Sequence, residues 1–292
     1  METIGIIGFG NMGEAFAAGL RAKLPHVKLT VVEKLSPRSS VAKDRYGALD
    51  CTGDWGKFFS LAELVILAVK PQDAEPLLRE ISTYSQGKRF ISIMAGKQIA
   101  FLRKYLHTPY LSRFMPNLAA MFGKAAVGVA LPDEFSSPKE QLSPKELSEQ
   151  QGLTGVPLSM EDRDSFKAQC LQIAGAVGKP MEIPEKMMPM MTGLSGSGIA
   201  FVFQFIHAMA LGGVKTGFGY LAALETSLQV VEGALEALRK TGEAPPTWIT
   251  RVASPAGTTI EGLQVLEEGG FTATVMGAVE AASRRAEELE GV

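Results

Sequence analysis

The chain has 292 residues, of which 46% are hydrophobic and 21% are charged, and its formal net charge is −2. This length allows one large domain or two ordinary ones, and the composition is that of a globular protein with a sizeable core. The nearly neutral charge argues against a nucleic acid or a membrane surface as the partner.

The start of the chain passes directly into an apolar run without a basic segment or a cleavage site, so the sequence predicts no signal peptide and a cytoplasmic location. The longest apolar stretch, residues 199–213, includes Gln204 and His207 and is predicted to be too short to span a bilayer. The two cysteines, Cys51 and Cys170, are widely separated and favour two reduced thiols. The three histidines lack neighbouring ligands, which argues against a metal site.

The first motif is Gly8-Phe9-Gly10-Asn11-Met12-Gly13, which lies between the apolar run 4–7 and the helical pattern of residues 14–20. Gly8 allows a tight turn, Gly10 leaves the backbone bare for a pyrophosphate, and Gly13 lets the helix lie close to the strand. Strand, glycine turn and helix in this order predict a dinucleotide site at Gly8, Gly10, Asn11, Met12 and Gly13.

The second predicted strand, Leu29–Val32, ends at Glu33, which lies 20 residues after Gly13. A carboxylate at this spacing binds the ribose 2′-hydroxyl of NAD. Lys34, Arg38 and the nearby Ser36 could instead receive the 2′-phosphate of NADP. The residues leave the choice between NAD and NADP open.

The next strand is the continuous apolar run Leu64–Val69, which is typical of a parallel strand buried on both faces. Since proline cannot donate to a strand ladder, this strand ends at Lys70-Pro71, at the sheet edge where open α/β sheets bind ligands. Further strands are predicted at 90–94 (followed by Ala95-Gly96), 110–115 (followed by Pro116-Asn117), 126–131 and 179–183, with helices at 73–82, 97–105 and 163–175.

This alternation predicts a doubly wound Rossmann-type α/β domain over residues 1–184. Residues 132–157 interrupt it with four prolines among polar residues. Such a composition predicts a mobile surface insertion without a regulatory role.

Residues 185–292 form a predicted all-helical second domain. The segment 197–215 is apolar nearly all round, which predicts burial on every side. Leucine and valine residues from 221 to 238 recur at spacings of 3, 4, 3, 4 and 3, and a last amphipathic helix is predicted at 271–289. Such helices pack better against a second copy than alone, so we expect a homodimer, with any higher oligomer left open.

Two further glycine-containing segments lie in this half of the chain. Residues 193–198 read Gly-Leu-Ser-Gly-Ser-Gly, which predicts either a turn that presents amides to an anion or a hinge between domains. Residues 254–261 begin Ser-Pro-Ala-Gly-Thr-Thr, where Thr258 and Glu261 fit a helix capping box. The amides there would hold a carboxylate with the Thr259 hydroxyl beside them, although both threonines could merely cap the helix. No Ser/His/Asp pattern or pair of catalytic carboxylates is apparent.

These motifs, together with Ala68-Val69-Lys70-Pro71, Met115-Pro116-Asn117 and the segment Val265–Phe271, resemble pyrroline-5-carboxylate reductase in their residues and their order. The resemblance covers the chain apart from the polar insertion. It implies hydride transfer from NADH or NADPH to the imine carbon of a five-membered ring, giving L-proline. Segment 254–260 is the most specific of the signatures, whereas many dehydrogenases share the first.

The resemblance also implies residue roles. The cofactor would lie on residues 8–13 and against Ala68, Val69, Lys70 and Pro71, with Ala95, Gly96 and Asn117 nearby. The substrate carboxylate would be held around Ser254, Gly257 and Thr258, with Ser195 and Ser197 in support, and Thr259 would bind the ring nitrogen as the catalytic residue. Such a reaction needs orientation more than a strong base, so a catalytic histidine is not required.

Several positions depart from the family pattern. Leu118 replaces a threonine, Ile199 and Phe201 replace a proline and a tyrosine, and Ala256 replaces a glycine. The Cβ of Ala256 is expected to shift the amides of its turn if that turn requires a positive φ. The insertion is also longer than expected. These departures keep two alternatives open: a reductase of another cyclic imine or a 2-hydroxy-acid-type dehydrogenase, and a non-catalytic NAD(P)-binding regulator.

Overall fold

The computed structural model describes residues 2–132, 135 and 159–290, so the predicted insertion lies outside the described residues except for Pro132 and Phe135. The chain forms two compact units: the first comprises Met1–Gly196 with Ser283–Val292, and the second comprises Ser197–Ala282. The domain boundary between residues 184 and 185 stays a prediction.

The first unit contains one eight-stranded sheet in the order β3-β2-β1-β4-β5-β6-β7-β8. All neighbouring strands are parallel except β6 and β7, which are antiparallel. This is the Rossmann order, extended by two strands, and it confirms the predicted doubly wound fold. The strands are β1 (Thr3–Ile7), β2 (Lys28–Val32), β3 (Leu49–Asp50), β4 (Leu64–Leu67), β5 (Arg89–Ser92), β6 (Leu111–Met115), β7 (Ala125–Ala130) and β8 (Gly178–Glu182).

Helices cover both faces of this sheet. The helices that the structure describes in the first unit are α1 (Asn11–Lys23), α2 (Ser36–Tyr46), α3 (Trp55–Leu61), α4 (Ala74–Ile81), α5 (Ile99–Arg103), α6 (Met160–Val177) and the short α7 (Met188–Met191). Short 3₁₀ helices span Pro71–Asp73, Ser82–Tyr84, Leu118–Phe122 and Glu185–Met187.

Strand β4 shows how the core is divided. Its four residues are fully buried, and because side chains alternate along a strand, Leu64 and Ile66 join one apolar cluster while Val65 and Leu67 join the other. Burying each such side chain contributes about 1.5–3 kcal/mol. The continuous apolar run predicted for a doubly covered strand therefore serves two separate cores.

The second unit is helical, as predicted. Its helices are α8 (Gly198–Lys215), α9 (Tyr220–Thr241), α10 (Pro245–Val252), α11 (Thr258–Glu268) and α12 (Phe271–Glu290), the last of which ends in the first unit.

The predicted burial of α8 on every side is wrong within one chain. Ala210 is its only residue that the described chain buries, whereas Phe203 is 56% exposed. By length and composition, the helical run Glu185–Lys215 could cross a bilayer. The prediction that the apolar stretch in this run is too short to span a bilayer is therefore also wrong. The described part of this single chain leaves most side chains of α8 uncovered.

Candidate functional site

The predicted cofactor residues all follow the carboxyl ends of parallel strands. These ends meet at one edge of the sheet, and the strand order reverses there between β1 and β4, the position at which such sheets bind nucleotides. Residues 8–13 follow β1, Glu33 and Lys34 follow β2, Ala68–Pro71 follow β4, Ala95 and Gly96 follow β5, and Asn117 follows β6. The structure thus brings the five segments to a common edge.

The glycine turn after β1 fits a pyrophosphate. Gly8 has a φ of 90° and a Cβ there would lie 2.8 Å from the Ala68 carbonyl oxygen, while a Cβ on Gly13 would lie 2.2 Å from the Gly8 carbonyl oxygen. Both positions therefore require glycine. A Cβ on Gly10 would have no neighbour within 4 Å. Since Gly10 begins α1 without a side-chain cap, the first amides of this helix are available to an anion.

The carboxylate of Glu33 is held at this turn by two backbone amides. Phe9 N donates to Glu33 Oε2 at 2.5 Å, and Leu35 N donates to Glu33 Oε1 at 2.9 Å. Thr52 Oγ1 accepts from the Glu33 amide at 3.1 Å, so the residue is fixed at backbone and side chain alike. Lys34 beside it is exposed.

Arg38, which the sequence offers as a possible partner of the NADP 2′-phosphate, forms an ion pair with Glu14 of α1. Its Nη1 donates to Glu14 Oε2 at 3.1 Å, and Nη2 donates to Asn11 Oδ1 at 3.4 Å. Arg45 and the Tyr46 hydroxyl each donate to the other oxygen of Glu14 at 3.0 Å. Burial, followed by this hydrogen bond, raises the pKa of Tyr46. The only feature of Glu14 visible in the sequence is its place in the first turn of a helix.

Asn117 and Ser195 contact each other in the first unit. Asn117 Nδ2 donates to the carbonyl oxygen and the hydroxyl of Ser195 at 3.3 and 3.2 Å, and the Ser195 hydroxyl donates to the Ala126 carbonyl at 3.2 Å. Ser195 is buried. Its hydroxyl therefore links the end of β6 to β7, and its predicted role toward the substrate stays a prediction.

The glycine-rich segment 193–198 does not form the predicted turn, whereas the predicted hinge stays a prediction, since the boundary between the two compact units lies between Gly196 and Ser197. Thr192–Ser197 is a π-helical stretch that joins α7 to α8, so residues 185–215 form one helical run. Glycines tolerate the wider backbone of this rare helix, which often occurs at functional sites. Ser197 is half-buried at its end.

A partly buried ion-pair cluster, which the sequence reasoning missed, lies beside Gly96. Arg113 in β6 is fully buried, and its guanidinium donates to Glu185 at 2.8 Å and to Glu290 at 2.7 Å. A Cβ on Gly96 would lie 3.0 Å from the Leu289 carbonyl oxygen. The end of α12 is thus fastened against the turn that follows β5. An arginine inside an apolar strand was the available signal, since a buried guanidinium requires acidic partners.

In the second unit, Ser254-Pro255-Ala256-Gly257 forms a β-turn. Gly257 N donates to the Ser254 carbonyl at 3.1 Å, and Ala256 has a φ of 54°. Proline at the second position and a positive φ at the third define a type II turn. The expectation that this turn requires a positive φ is confirmed, but Ala256 keeps that conformation, so the turn remains closed.

Helix α11 begins where the sequence places it, but the predicted capping box is wrong. Gly257 occupies the N-cap position in an extended conformation and makes no side-chain cap, so Thr258 is the first helical residue. The first amides of α11 are consequently available to an anion. Thr259 lines a cavity of about 450 Å³ whose other walls include Trp248, Ile249 and Val252.

Both cysteines are free and buried. Burial raises the pKa of the Cys170 thiol to about 12, so this thiol stays protonated. Within the described residues, no group of three His, Cys, Asp or Glu side chains is arranged to hold a metal ion.

Two family descriptions match the chain. Residues 185–289 match the model of pyrroline-5-carboxylate reductase dimerisation, and residues 3–96 match that of the coenzyme F420-dependent NADP oxidoreductases. The former region contains the exposed helices, and the latter contains the glycine turn.

Curated relatives match the chain along nearly its whole length. Pyrroline-5-carboxylate reductase of Aquifex aeolicus is 33% identical over 98% of this chain and 97% of that protein, and the Arabidopsis thaliana enzyme is 34% identical over 98% and 95%. A Coxiella burnetii structure of the same enzyme superimposes with a TM-score of 0.82 at 25% identity, over 98% of this chain and 97% of that one. The structure of Plasmodium falciparum pyrroline carboxylate reductase with NADP bound superimposes with a TM-score of 0.76 at 25% identity, over 99% of this chain and 98% of that one.

Proposed function

Because the chain belongs to the pyrroline-5-carboxylate reductase family, we propose that it reduces 1-pyrroline-5-carboxylate to L-proline with a hydride from NADH or NADPH. The observation that carries this proposal is the full-length similarity to enzymes of that name at more than 30% identity. The glycine turn at the strand-order reversal supplies the cofactor site that the reaction requires.

The cofactor is held at the sheet edge of the first unit. The amides of residues 10–13 bind the pyrophosphate, because the turn is bare at Gly10 and α1 has no side-chain cap there. Ala68–Pro71, Ala95, Gly96 and Asn117 line the same edge toward the nicotinamide. When bound, the reduced nicotinamide supplies the hydride.

The substrate carboxylate is held by the turn 254–257 and the first amides of α11. These amides lack an intrahelical acceptor, and the positive end of the helix dipole favours an anion. The Thr259 hydroxyl donates a hydrogen bond to the ring nitrogen of the neutral imine or accepts one from the N–H of the protonated imine. Either hydrogen bond orients the carbon that receives the hydride. Ser195 and Ser197 are further candidates for substrate contacts.

We propose that the homodimer forms through the C-terminal helices and that the apolar faces of these helices make up its interface. Phe203 of α8, Leu221 and Leu228 of α9 and Met276 of α12 are between 46% and 79% exposed in one chain. A second copy accounts for this surface better than a bilayer does, because the whole run Glu185–Lys215 lies within the part of the chain that matches the dimerisation family. The cytoplasmic location stays a prediction.

The proposal is tested by following NADH and NADPH oxidation at 340 nm with pyrroline-5-carboxylate and with a panel of other cyclic imines and 2-oxo acids. The pyrroline should be reduced fastest. An absence of turnover with either cofactor, despite cofactor binding, would refute the assignment and favour a non-catalytic regulator.

The role of Thr259 is tested by a matched pair of substitutions. Thr259→Val keeps the shape and removes the hydroxyl, so kcat should fall roughly 100-fold while cofactor affinity is unchanged. Thr259→Ser keeps the hydroxyl and should retain most of the rate. Equal rates in the two variants would exclude a role for this hydroxyl.

A further inference from the structure

The orientation of the Glu33 carboxylate bears on the choice between the two nicotinamide cofactors. Phe9 N and Leu35 N each bind a different oxygen of this carboxylate, at 2.5 and 2.9 Å. Phe9 lies between the first two glycines of the pyrophosphate turn, so the negative charge is fixed beside the bound dinucleotide. An exposed glutamate at a strand end can ordinarily rotate away from a negatively charged ligand that it repels. Here two backbone amides oppose that rotation.

A carboxylate held in this way can still accept hydrogen bonds. An ionised carboxylate has about four acceptor positions, and the two amides occupy one on each oxygen. The remaining positions suit the two ribose hydroxyls of NADH, which are donors. A 2′-phosphate offers acceptor oxygens and close to two negative charges at the same position, so it meets the carboxylate without a hydrogen bond and with repulsion.

The cations that could offset this repulsion are only partly available. Arg38 donates to Glu14 at 3.1 Å and to Asn11 at 3.4 Å, which holds its guanidinium against α1. Arg45 pairs with the same Glu14 at 3.0 Å. Lys34 is exposed, and a solvated lysine at a strand end is screened by water and salt.

We propose that Glu33 is the specificity-determining residue of the cofactor site and makes this enzyme select NADH over NADPH. This inference rests on the part of the proposed function that makes the cofactor a nicotinamide dinucleotide. It does not depend on the identity of the substrate. The Plasmodium falciparum relative whose structure contains NADP shows that a protein of this fold accommodates the 2′-phosphate, so the selection is attributed to this chain's own residue.

The test is a direct titration of the purified protein with NADH and with NADPH, followed by calorimetry in the absence of an imine substrate. The wild-type protein should bind NADH at least 10-fold more tightly. Glu33→Gln removes the charge and keeps one acceptor oxygen, so it should lower the ratio of the two affinities about 10-fold, chiefly by tightening NADPH binding. If the variant also loosens the turn at Phe9, both affinities fall together and their ratio still reports selectivity.

Asp44→Asn is the matched control, because it removes the same charge from an exposed position farther along α2. It should leave the ratio within 2-fold. Wild-type protein that binds NADPH as tightly as NADH, or a ratio that Glu33→Gln does not change, would overturn the inference. A failure of the proposed function is separable: it appears as absent turnover of pyrroline-5-carboxylate with either cofactor, while the binding ratio still shifts.

Discussion

Ala256 offers the sharpest test of the conformation of the turn 254–257, because it is the only residue other than glycine with a positive φ in the described part of the chain. For an L-residue the left-handed region costs roughly 1–2 kcal/mol. Replacing alanine by glycine loses about 0.4–1 kcal/mol through the freer unfolded chain. Ala256→Gly should therefore raise the free energy of unfolding by about 0.5–1 kcal/mol and the Tm by about 1–4 °C.

The assay is urea unfolding followed by tryptophan fluorescence at one fixed protein concentration, since the stability of a dimer depends on concentration. Ala253→Gly is the matched control, because Ala253 has a φ of −81° and its glycine variant should lose stability. Ala256→Val should also be destabilising, since a β-branched side chain tolerates this region poorly. If Ala256→Gly were destabilised like the control, the left-handed conformation of the turn would be refuted.

Three further outcomes are expected. Arg113→Met should lower the free energy of unfolding by about 3 kcal/mol in urea titrations, because it leaves two carboxylates without their buried cation, and Arg113→Lys should lose less. Cys170 should resist maleimide labelling at pH 8, and the free energy of unfolding should decrease as the pH rises from 9.0 toward 12, since the unfolded thiol ionises before the folded one. Leu228→Glu should convert the dimer to monomers in light-scattering measurements, whereas an unchanged mass would exclude α9 from the interface.

The sequence predicts most strands of the first unit well because β1, β4, β5, β6 and β7 are largely apolar runs that are followed within a few residues by glycine or proline. Strand β4 ends at Leu67, two residues before the predicted boundary, although the Ala68 amide still donates to the Ile7 carbonyl of β1 at 2.8 Å. Strand β3 and helices α2 and α3 were not predicted. Strand β3 has two residues, and the α2 sequence is largely polar, so neither carries a strong periodic signal.

Features that depend on distant partners were not predictable from local pattern. The antiparallel direction of β7 follows from the short 3₁₀ connection after β6, and the π-helical stretch at Thr192–Ser197 has no periodic signature. The two amide bonds to Glu33 join residues 24 and 2 positions away, so only the fold shows that its carboxylate is immobilised. Spacing alone identified the residue but could not settle its orientation.

The ion pairs of Arg113 have a consequence for the order in which the two units are connected along the chain. One guanidinium holds residue 185 and residue 290, so the long segment between them leaves and returns to the same point of the sheet unit. The helical unit is therefore spliced into the nucleotide-binding unit rather than appended to it, which is the topology that tolerates excision and exchange of a domain. A linker that joins Gly196 to Ser283 should therefore yield a free-standing sheet unit that keeps both carboxylate partners of Arg113.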